Sequence, residues 1–319
     1  MMTLSKLAKL AHVSLSTASK AFSMSSEVNE ETREMIFELA RKHGCFKKFY
    51  NAKYPKLVIA VICPEFKSRY YSSIVSSIQE NLSKMDSEIC VASTDFSEDK
   101  RSELYDYYNN YSNVDGIIMI DSGKYEHTKS NVPVVTTGKS NGKTVSVYSN
   151  SSLGINMAVD YFLSKGIKDI GFISEKYTMS KLVNFRDYIN KKLGNICEDY
   201  LSVSEHRMEL GGYEAMEEFF KRKTIPRAII CAYDCMAIGA MKCVFDHGLN
   251  IPDDVAIIGM NNNRETEFLN PALSSIDLCS EEAGREMSLA VINKIMGIET
   301  NEEIILTPKL ILRESSEIK

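Results

Sequence analysis

At 319 residues, with 44% hydrophobic and 25% charged side chains, the chain is too long for one small core and too apolar to be disordered, which predicts two or three soluble domains. No apolar run reaches the roughly eighteen residues a membrane span needs, and the opening Met-Met-Thr-Leu-Ser-Lys lacks a signal peptide's apolar stretch, so a cytoplasmic protein with no membrane partner is expected. The net charge of −5 argues against nucleic acid until its distribution is read: residues 1–56 hold ten Lys/Arg against five Glu, +5, leaving −10 on the other 263. A basic head on an acidic body is the pattern of a phosphate-binding module joined to a domain that does not touch DNA.

In chain order, Thr3 stands where an N-cap belongs, with Leu4, Leu7, Ala8 and Ala11 following at helical spacing. His12-Val13-Ser14 breaks that helix, and Ser14 caps a second over Leu15 to about Phe22, whose Thr17, Ala18 and Ala21 allow close packing. Asn29 caps a third, with Thr32, Met35, Ile36, Leu39 and Ala40 inward and Gly44 just past its end. Two short helices braced by a third make a helix-turn-helix whose second helix fits the major groove. The same spacing also serves plain packing modules, and spacing alone leaves both readings open.

The residues narrow the choice. Thr3-Leu4-x-x-Leu7-Ala8-x-x-Ala11-x-Val13-Ser14-x-x-Thr17-Ala18-Ser19-Lys20, then Val28-Asn29-x-x-Thr32-Arg33, closely resembles the DNA-binding head of the lac repressor/galactose repressor family. The resemblance implies base-reading positions at Leu15, Ser16 and Lys20, and phosphate contacts near Thr3, Ser14, Thr17, Ser19 and Asn29. Capping alone accounts for Ser14 and Asn29, and the two roles are compatible. The linker departs from the family: Cys45, Lys47 and Lys48 replace its Tyr, Pro and Asn, and its wedging leucine falls on Tyr54, where Pro55 disfavours helix. The basic, aromatic segment 46–54, including Lys47, Lys48, Lys53 and Tyr54, is expected to touch DNA without the usual hinge helix; a solvated linker is the alternative.

Beyond it, Leu57–Cys63 is a continuous apolar run, the mark of a strand buried on both faces. Helix 72–84, strand 89–93, helix 100–111 and strands 116–120 and 132–136 follow. After a break near residue 150 come helix 153–165, strand 170–174, helix 179–192, strand 200–203, helix 212–223, strand 228–232, helix 235–247 and strand 255–260. Such alternation predicts an α/β body of two lobes, each a parallel sheet flanked by helices, with a ligand cleft at the strand C-terminal ends. Val114-Asp115-Gly116-Ile117-Ile118, Asp234-x-Met236-Ala237-x-Gly239, Ile251-Pro252-x-Asp254-Val255-Ala256 and Pro308-x-Leu310-x-x-Arg313-x-Ser315 extend the resemblance over nearly the whole chain.

The family's topology implies a periplasmic-binding-protein-like body behind a 1–46 head and a 47–55 linker. One lobe would take 56–149 and 277–304, the other 150–276 and 305–319, with three crossings between them. Carried over position by position, effector contacts fall on Tyr70, Tyr71, Lys181, Tyr233, Asp234 and Asn261, with Arg207 facing the cleft. Lys181 stands where the family has a clamping Arg, and Asn261 where it has an Asp. An Arg–Asp pair grips vicinal hydroxyls, whereas a cavity that loses a carboxylate and keeps a cation suits an anionic ligand. A neutral sugar, a sugar phosphate and no small effector are all open at this point.

Two-lobed α/β folds are often enzymes, but there is no GxGxxG, GxxxxGK[ST], HExxH or GxSxG here, and the five histidines are dispersed. Eight scattered cysteines lack paired zinc-site spacing, so no metal and no cofactor are expected. The expected protein is therefore a homodimeric DNA-binding repressor. It would read a palindromic double-stranded operator under control of a sugar or sugar phosphate, with dimer contacts near Ser72, Asp234–His247 and 280–295. A cytoplasmic two-lobed sugar-binding protein, or a regulator without small effector, is the alternative.

Overall fold

In the computed structural model, which describes residues 2–49, 57–120, 130–138, 144–194 and 197–318, three side-chain caps start the three opening helices. Thr3 Oγ1 accepts from Lys6 N at 3.2 Å ahead of α1 (Leu4–Leu10), and Ser14 Oγ accepts from Thr17 N at 2.9 Å ahead of α2 (Leu15–Phe22). Asn29 Oδ1 accepts from Thr32 N at 2.8 Å ahead of α3 (Glu30–Lys42). Gly44, at φ +63°, takes the left-handed turn that ends α3, as expected. Leu7, Ala11, Ala21, Phe22, Ile36, Phe37 and Ala40 form the core between them.

A short helix α4 (Phe46–Phe49) folds back on this core: Phe46 lies 4.9 Å from the Phe37 ring and Phe49 5.6 Å from Phe22. Of the segment 46–54 expected to touch DNA, Phe46 and Phe49 are thus turned into the head's core, while residues 50–54 lie outside the described residues. In Phe-Lys-Lys-Phe the two rings sit three apart, on one side of a helical turn, and bury together. The expected head boundary at 46 accordingly falls inside α4. Arg33, counted above as part of a basic surface, is only 7% exposed. Its guanidinium donates to Ser25 O and Val28 O, both at 2.8 Å, and so ties the α2–α3 loop to α3.

The body holds two six-stranded sheets. The first, in the order β2 (Ser87–Ser93), β1 (Leu57–Cys63), β3 (Gly116–Met119), β4 (Val134–Thr136), β5 (Val145–Ser149) and β11 (Glu303–Leu306), is parallel throughout. The second runs β7 (Leu201–Ser204), β6 (Ile170–Glu175), β8 (Ala228–Cys231), β9 (Ala256–Met260), β10 (Ser274–Asp277) and β12 (Lys309–Ile311), with only β12 antiparallel. Helices α5 (Arg69–Lys84), α6 (Glu98–Asp106) and α11 (Ser280–Met296) flank the first sheet. Helices α7 (Ser151–Ser164), α8 (Met179–Leu193), α9 (Met208–Arg222) and α10 (Asp234–Asp246) flank the second.

The alternation read from sequence is present with ends displaced by a few residues. Strands β5, β10, β11 and β12 were absent from that reading, because Val-Ser-Val-Tyr-Ser and its counterparts are too short and too polar to stand out from loops. The chain passes between the sheets after β5, after β10 and after β11. The segments expected to make dimer contacts are largely occupied within the chain: nine of the thirteen α10 residues are buried, and Ser77 Oγ of α5 donates to Glu281 O of α11 at 2.6 Å. Only their outward residues, among them Lys242, Phe245 and Asp246, remain for a partner.

Candidate functional sites in the helical head and the interlobe cleft

Helix α2 buries Ala18, Ala21 and Phe22 and leaves Leu15, Ser16 and Ser19 exposed on its outer face, with Lys20 half-buried. Leu15 is 54% exposed, an apolar group held in water at the first turn. Two of the expected DNA contacts already have partners. Ser14 Oγ and Thr17 Oγ1 share a 2.8 Å hydrogen bond, and Lys20 pairs with Glu27. Both members of the second pair are well exposed, so a phosphate can replace Glu27 at little cost. Lys48 is exposed on α4, its ammonium 5.8 Å from the Phe49 ring centre. Lys53, Tyr54 and the side chain of Lys47 lie outside the described residues.

In the body, both sheets have the strand order whose switch point opens a crevice beyond the strand C-terminal ends. A cavity of about 300 Å³ lies there between the lobes, near the lower end of the range for small-molecule sites. Its walls include six of the seven residues expected from sequence: Tyr70, Tyr71, Lys181, Arg207, Tyr233 and Asn261. Asp234 does not reach it. That carboxylate is fully buried one layer below, accepting from Ser275 Oγ at 2.6 Å and Asn263 N at 2.7 Å. It anchors the loop that carries Asn261.

Four residues that sequence reasoning missed change the cleft's chemistry. Glu65, just past β1, takes Arg207 in a bidentate pair at 2.7 and 2.9 Å, joining the lobes. Glu175, at the end of β6 and 1% exposed, lies 3.8 Å from Arg207 Nε. Phe96 of the first lobe stacks on Tyr177 of the second, ring centres 4.2 Å apart and 17° from parallel. The Arg207 guanidinium lies 4.6 Å from the Phe96 ring and 5.3 Å from Tyr177, so cation and aromatic pair brace one another.

The expectation of a cavity short of carboxylates therefore fails. Glu65 and Glu175 balance Lys181 and Arg207. Lys181 Nζ donates to Ala232 O at 2.8 Å, and burial pulls its ammonium down to about 8 against the opposing carboxylates of Asp234 and Glu175. Several buried polar atoms of residues lining the cleft lack a hydrogen-bond partner: Glu175 Oε1, Asn261 Oδ1, Ser149 Oγ and Arg207 Nε. An unpaired buried acceptor costs about 1–3 kcal/mol, more when charged, and a ligand hydroxyl would recover it. Backbone strain gathers in the same place: Phe96, Met208 and Asn261 line the cavity with φ of +60°, +58° and +105°.

Burial pushes the Asp234 carboxyl up to about 7. Its folded-state value lies above the unfolded one, so the folded protein binds the extra proton between about pH 4 and 7, and stability falls as pH rises through that window. The melting temperature is expected to drop from pH 5 to pH 8, with a flatter profile in Asp234→Asn. Ser275 Oγ can turn to accept from the new amide. An unchanged slope in that variant would assign the titration elsewhere.

The periplasmic binding protein-like domain family matches residues 159–316. The "Probable HTH-type transcriptional repressor ExuR" of Bacillus subtilis (strain 168) is 28% identical, the match spanning 96% of this chain and 95% of that protein. The HTH-type transcriptional repressor PurR of Salmonella newport (strain SL254) is 25% identical over 99% of this chain and 97% of its own length. Among solved structures, a lac repressor dimer bound to operator and the anti-inducer ONPF superposes with TM-score 0.76 at 18% identity, covering 99% of each chain. A complex of the transcriptional regulator CelR with cellobiose gives 0.70 at 24%, covering 99% of this chain and 100% of that one. At these identities the two structures speak to the fold: a helical head followed by a two-lobed body.

Proposed function

We propose that this chain, similar over nearly its whole length to two HTH-type transcriptional repressors and resembling the lac repressor/galactose repressor family, is a cytoplasmic, sequence-specific DNA-binding repressor, not an enzyme, controlled by a neutral, hydroxyl-rich effector of sugar size held between its lobes. The observation that carries the effector reading is that Glu175 Oε1 and Asn261 Oδ1, buried on residues lining one cavity, both lack a hydrogen-bond partner. Both are acceptors, so the ligand must donate. With Glu65 and Glu175 balancing the two cations, a phosphate would meet two carboxylates the sequence reading did not place there, and the neutral sugar is preferred over the phosphorylated one.

The head reads DNA through α2. Leu15 packs on a thymine methyl, Ser16 and Lys20 meet base edges, and Thr3, Ser14, Thr17, Ser19, Asn29, Lys47 and Lys48 lie along phosphates, with Lys53 and Tyr54 continuing the contact. Two heads on a twofold dimer read a near-palindromic site, their recognition helices about 34 Å apart. Support comes from the names of the relatives, both repressors, and from the neighbouring lac repressor structure, a dimer on operator. The effector acts by changing how the lobes close, which resets the separation of the heads.

Selection of random duplex DNA by the full-length protein tests the head. Ser16→Ala is expected to cost about 1–3 kcal/mol at one symmetric pair of positions and relax the preference there, while Lys48→Ala weakens every sequence alike and lowers the salt slope. Equal losses on all sequences for both variants would remove α2 from the reading role. For the cleft, calorimetric titration with matched neutral and phosphorylated sugars is expected to favour the neutral member. Tighter binding of the phosphorylated one would overturn the assignment.

A further inference from the structure

Away from the cleft, on the outer side of the second lobe, three metal-ligating side chains converge between α9 and α10. Cys243 and His247 are one helical turn apart at the end of α10, and Glu217 faces them from α9. One ligand atom from each lies within 4.8 Å of the others. Cys243 Sγ is 3.5 Å from Glu217 Oε2, and His247 Nε2 is 3.4 Å from the same oxygen. Zinc bond lengths of 2.3 Å to sulfur and about 2.0–2.1 Å to nitrogen or oxygen, at tetrahedral angles, give ligand-to-ligand edges of roughly 3.3–3.6 Å. The two edges to Glu217 therefore match those of a coordination shell, and the sulfur lies 3.8 Å from the imidazole at Nδ1.

The surroundings fix the ligands as metal sites do. His247 Nδ1 lies 3.0 Å from Cys243 O and 3.8 Å from Cys243 Sγ; in the Nδ1–H tautomer it donates to that carbonyl and leaves Nε2 facing Glu217. The imidazole is stacked on Phe220, ring centres 3.7 Å apart and 8° from parallel, which holds its orientation. The side chains of Glu217 and His247 remain 30% and 33% exposed, which leaves an entry path and an open fourth position.

We propose that Glu217, Cys243 and His247 form a three-ligand site for a zinc-type divalent cation that pins the end of α10 to α9. A thiolate, an imidazole and a carboxylate suit zinc or cobalt over magnesium or calcium, which prefer oxygen alone. The Cys243 thiol releases its proton to solvent as the ion enters. The site departs from the sequence expectation of no metal because Glu217 lies 26 residues before Cys243, a distance only the packing of α9 on α10 closes.

The test uses the reduced, metal-free, full-length protein titrated with Co²⁺, with Zn²⁺ as competitor. A near-ultraviolet thiolate-to-cobalt band and intense visible bands of four-coordinate cobalt are expected at one equivalent, displaced by zinc. Cys243→Ser is expected to abolish the charge-transfer band, while Cys197→Ser, at an exposed cysteine outside the cluster, leaves it intact. His247→Gln, a change at an exposed helix end, should weaken cobalt binding tenfold or more and keeps the test valid if the Cys243 variant does not fold. Saturating zinc should raise the melting temperature of the unaltered protein and leave that of His247→Gln unchanged. A weak octahedral spectrum with no thiolate band, or a spectrum indifferent to both variants, would overturn the proposal and leave Glu217, Cys243 and His247 as a hydrogen-bonded cluster alone.

Discussion

Gly239→Ala is expected to destabilise the second lobe by about 3–5 kcal/mol, among the largest single-residue effects in the molecule. A Cβ built at Gly239 on α10 would stand 1.9 Å from Glu209 O and 2.8 Å from Tyr213 N, and one at Gly212 on α9 would stand 1.9 Å from Met236 O. All of these are backbone atoms. No side chain can swing aside, so the two helices must separate, and that strips packing from Ala215, Met216, Met236 and Ala240 in the lobe's core. Gly212→Ala should act in the same way. At about 2–4 °C per kcal/mol for a unit of this size, the melting temperature of either variant should fall by about 6–20 °C. A fall under 2 °C would show that α9 and α10 tolerate wider spacing than their glycines imply.

How far the sequence disclosed this molecule depended on whether a signal was local. The caps Thr3, Ser14 and Asn29 are local: an oxygen-bearing side chain before an amphipathic run has one job, and each does it. The buried strands Leu57–Cys63 and Ile170–Glu175 announce themselves because parallel strands covered on both faces need unbroken apolar runs. Strand β5 does not, since Ser146 and Ser149 interrupt it and its burial comes from neighbours distant in sequence.

The cleft follows the same division. Six expected positions line it because they sit at helix starts (Tyr70, Tyr71, Lys181, Arg207, Tyr233) or just past a strand (Asn261), where α/β connections turn side chains into the crevice. The electrostatic inference went wrong because it tracked only positions where the family carries a charge. Glu65 and Glu175 stand elsewhere, at the ends of β1 and β6, and nothing in Cys-Pro-Glu-Phe or Ser-Glu-Lys-Tyr distinguishes a cleft carboxylate from a solvated one. The Glu65–Arg207 pair spans 142 residues, and the Phe96–Tyr177 stack likewise joins separate lobes. Contacts of that kind exist only after both sheets have formed.

That cross-lobe assembly sets the last prediction. Arg207→Met keeps the side chain's length and apolar stem but removes the charge, leaving Glu65, 7% exposed, without its cation and Glu175, 1% exposed, with Lys181 alone. Removing one partner of a fully buried pair costs about 3–5 kcal/mol. Arg207 is itself 27% exposed, and solvent screening brings the expected figure down to about 2–3 kcal/mol. The uncompensated carboxylates recover hydration when the lobes part, so the loss should fall on closure rather than on folding of each lobe. At 1.4 kcal/mol per factor of ten, closure and effector affinity should weaken by roughly 30–100-fold. Small-angle scattering should report a more open body, and titration the weaker binding. Adding Glu65→Gln to Arg207→Met should return part of the loss, since a neutral amide tolerates the missing cation where a carboxylate does not. A variant as closed and as tightly binding as the unaltered protein would show that the Phe96–Tyr177 stack, not the ion pair, holds the lobes together.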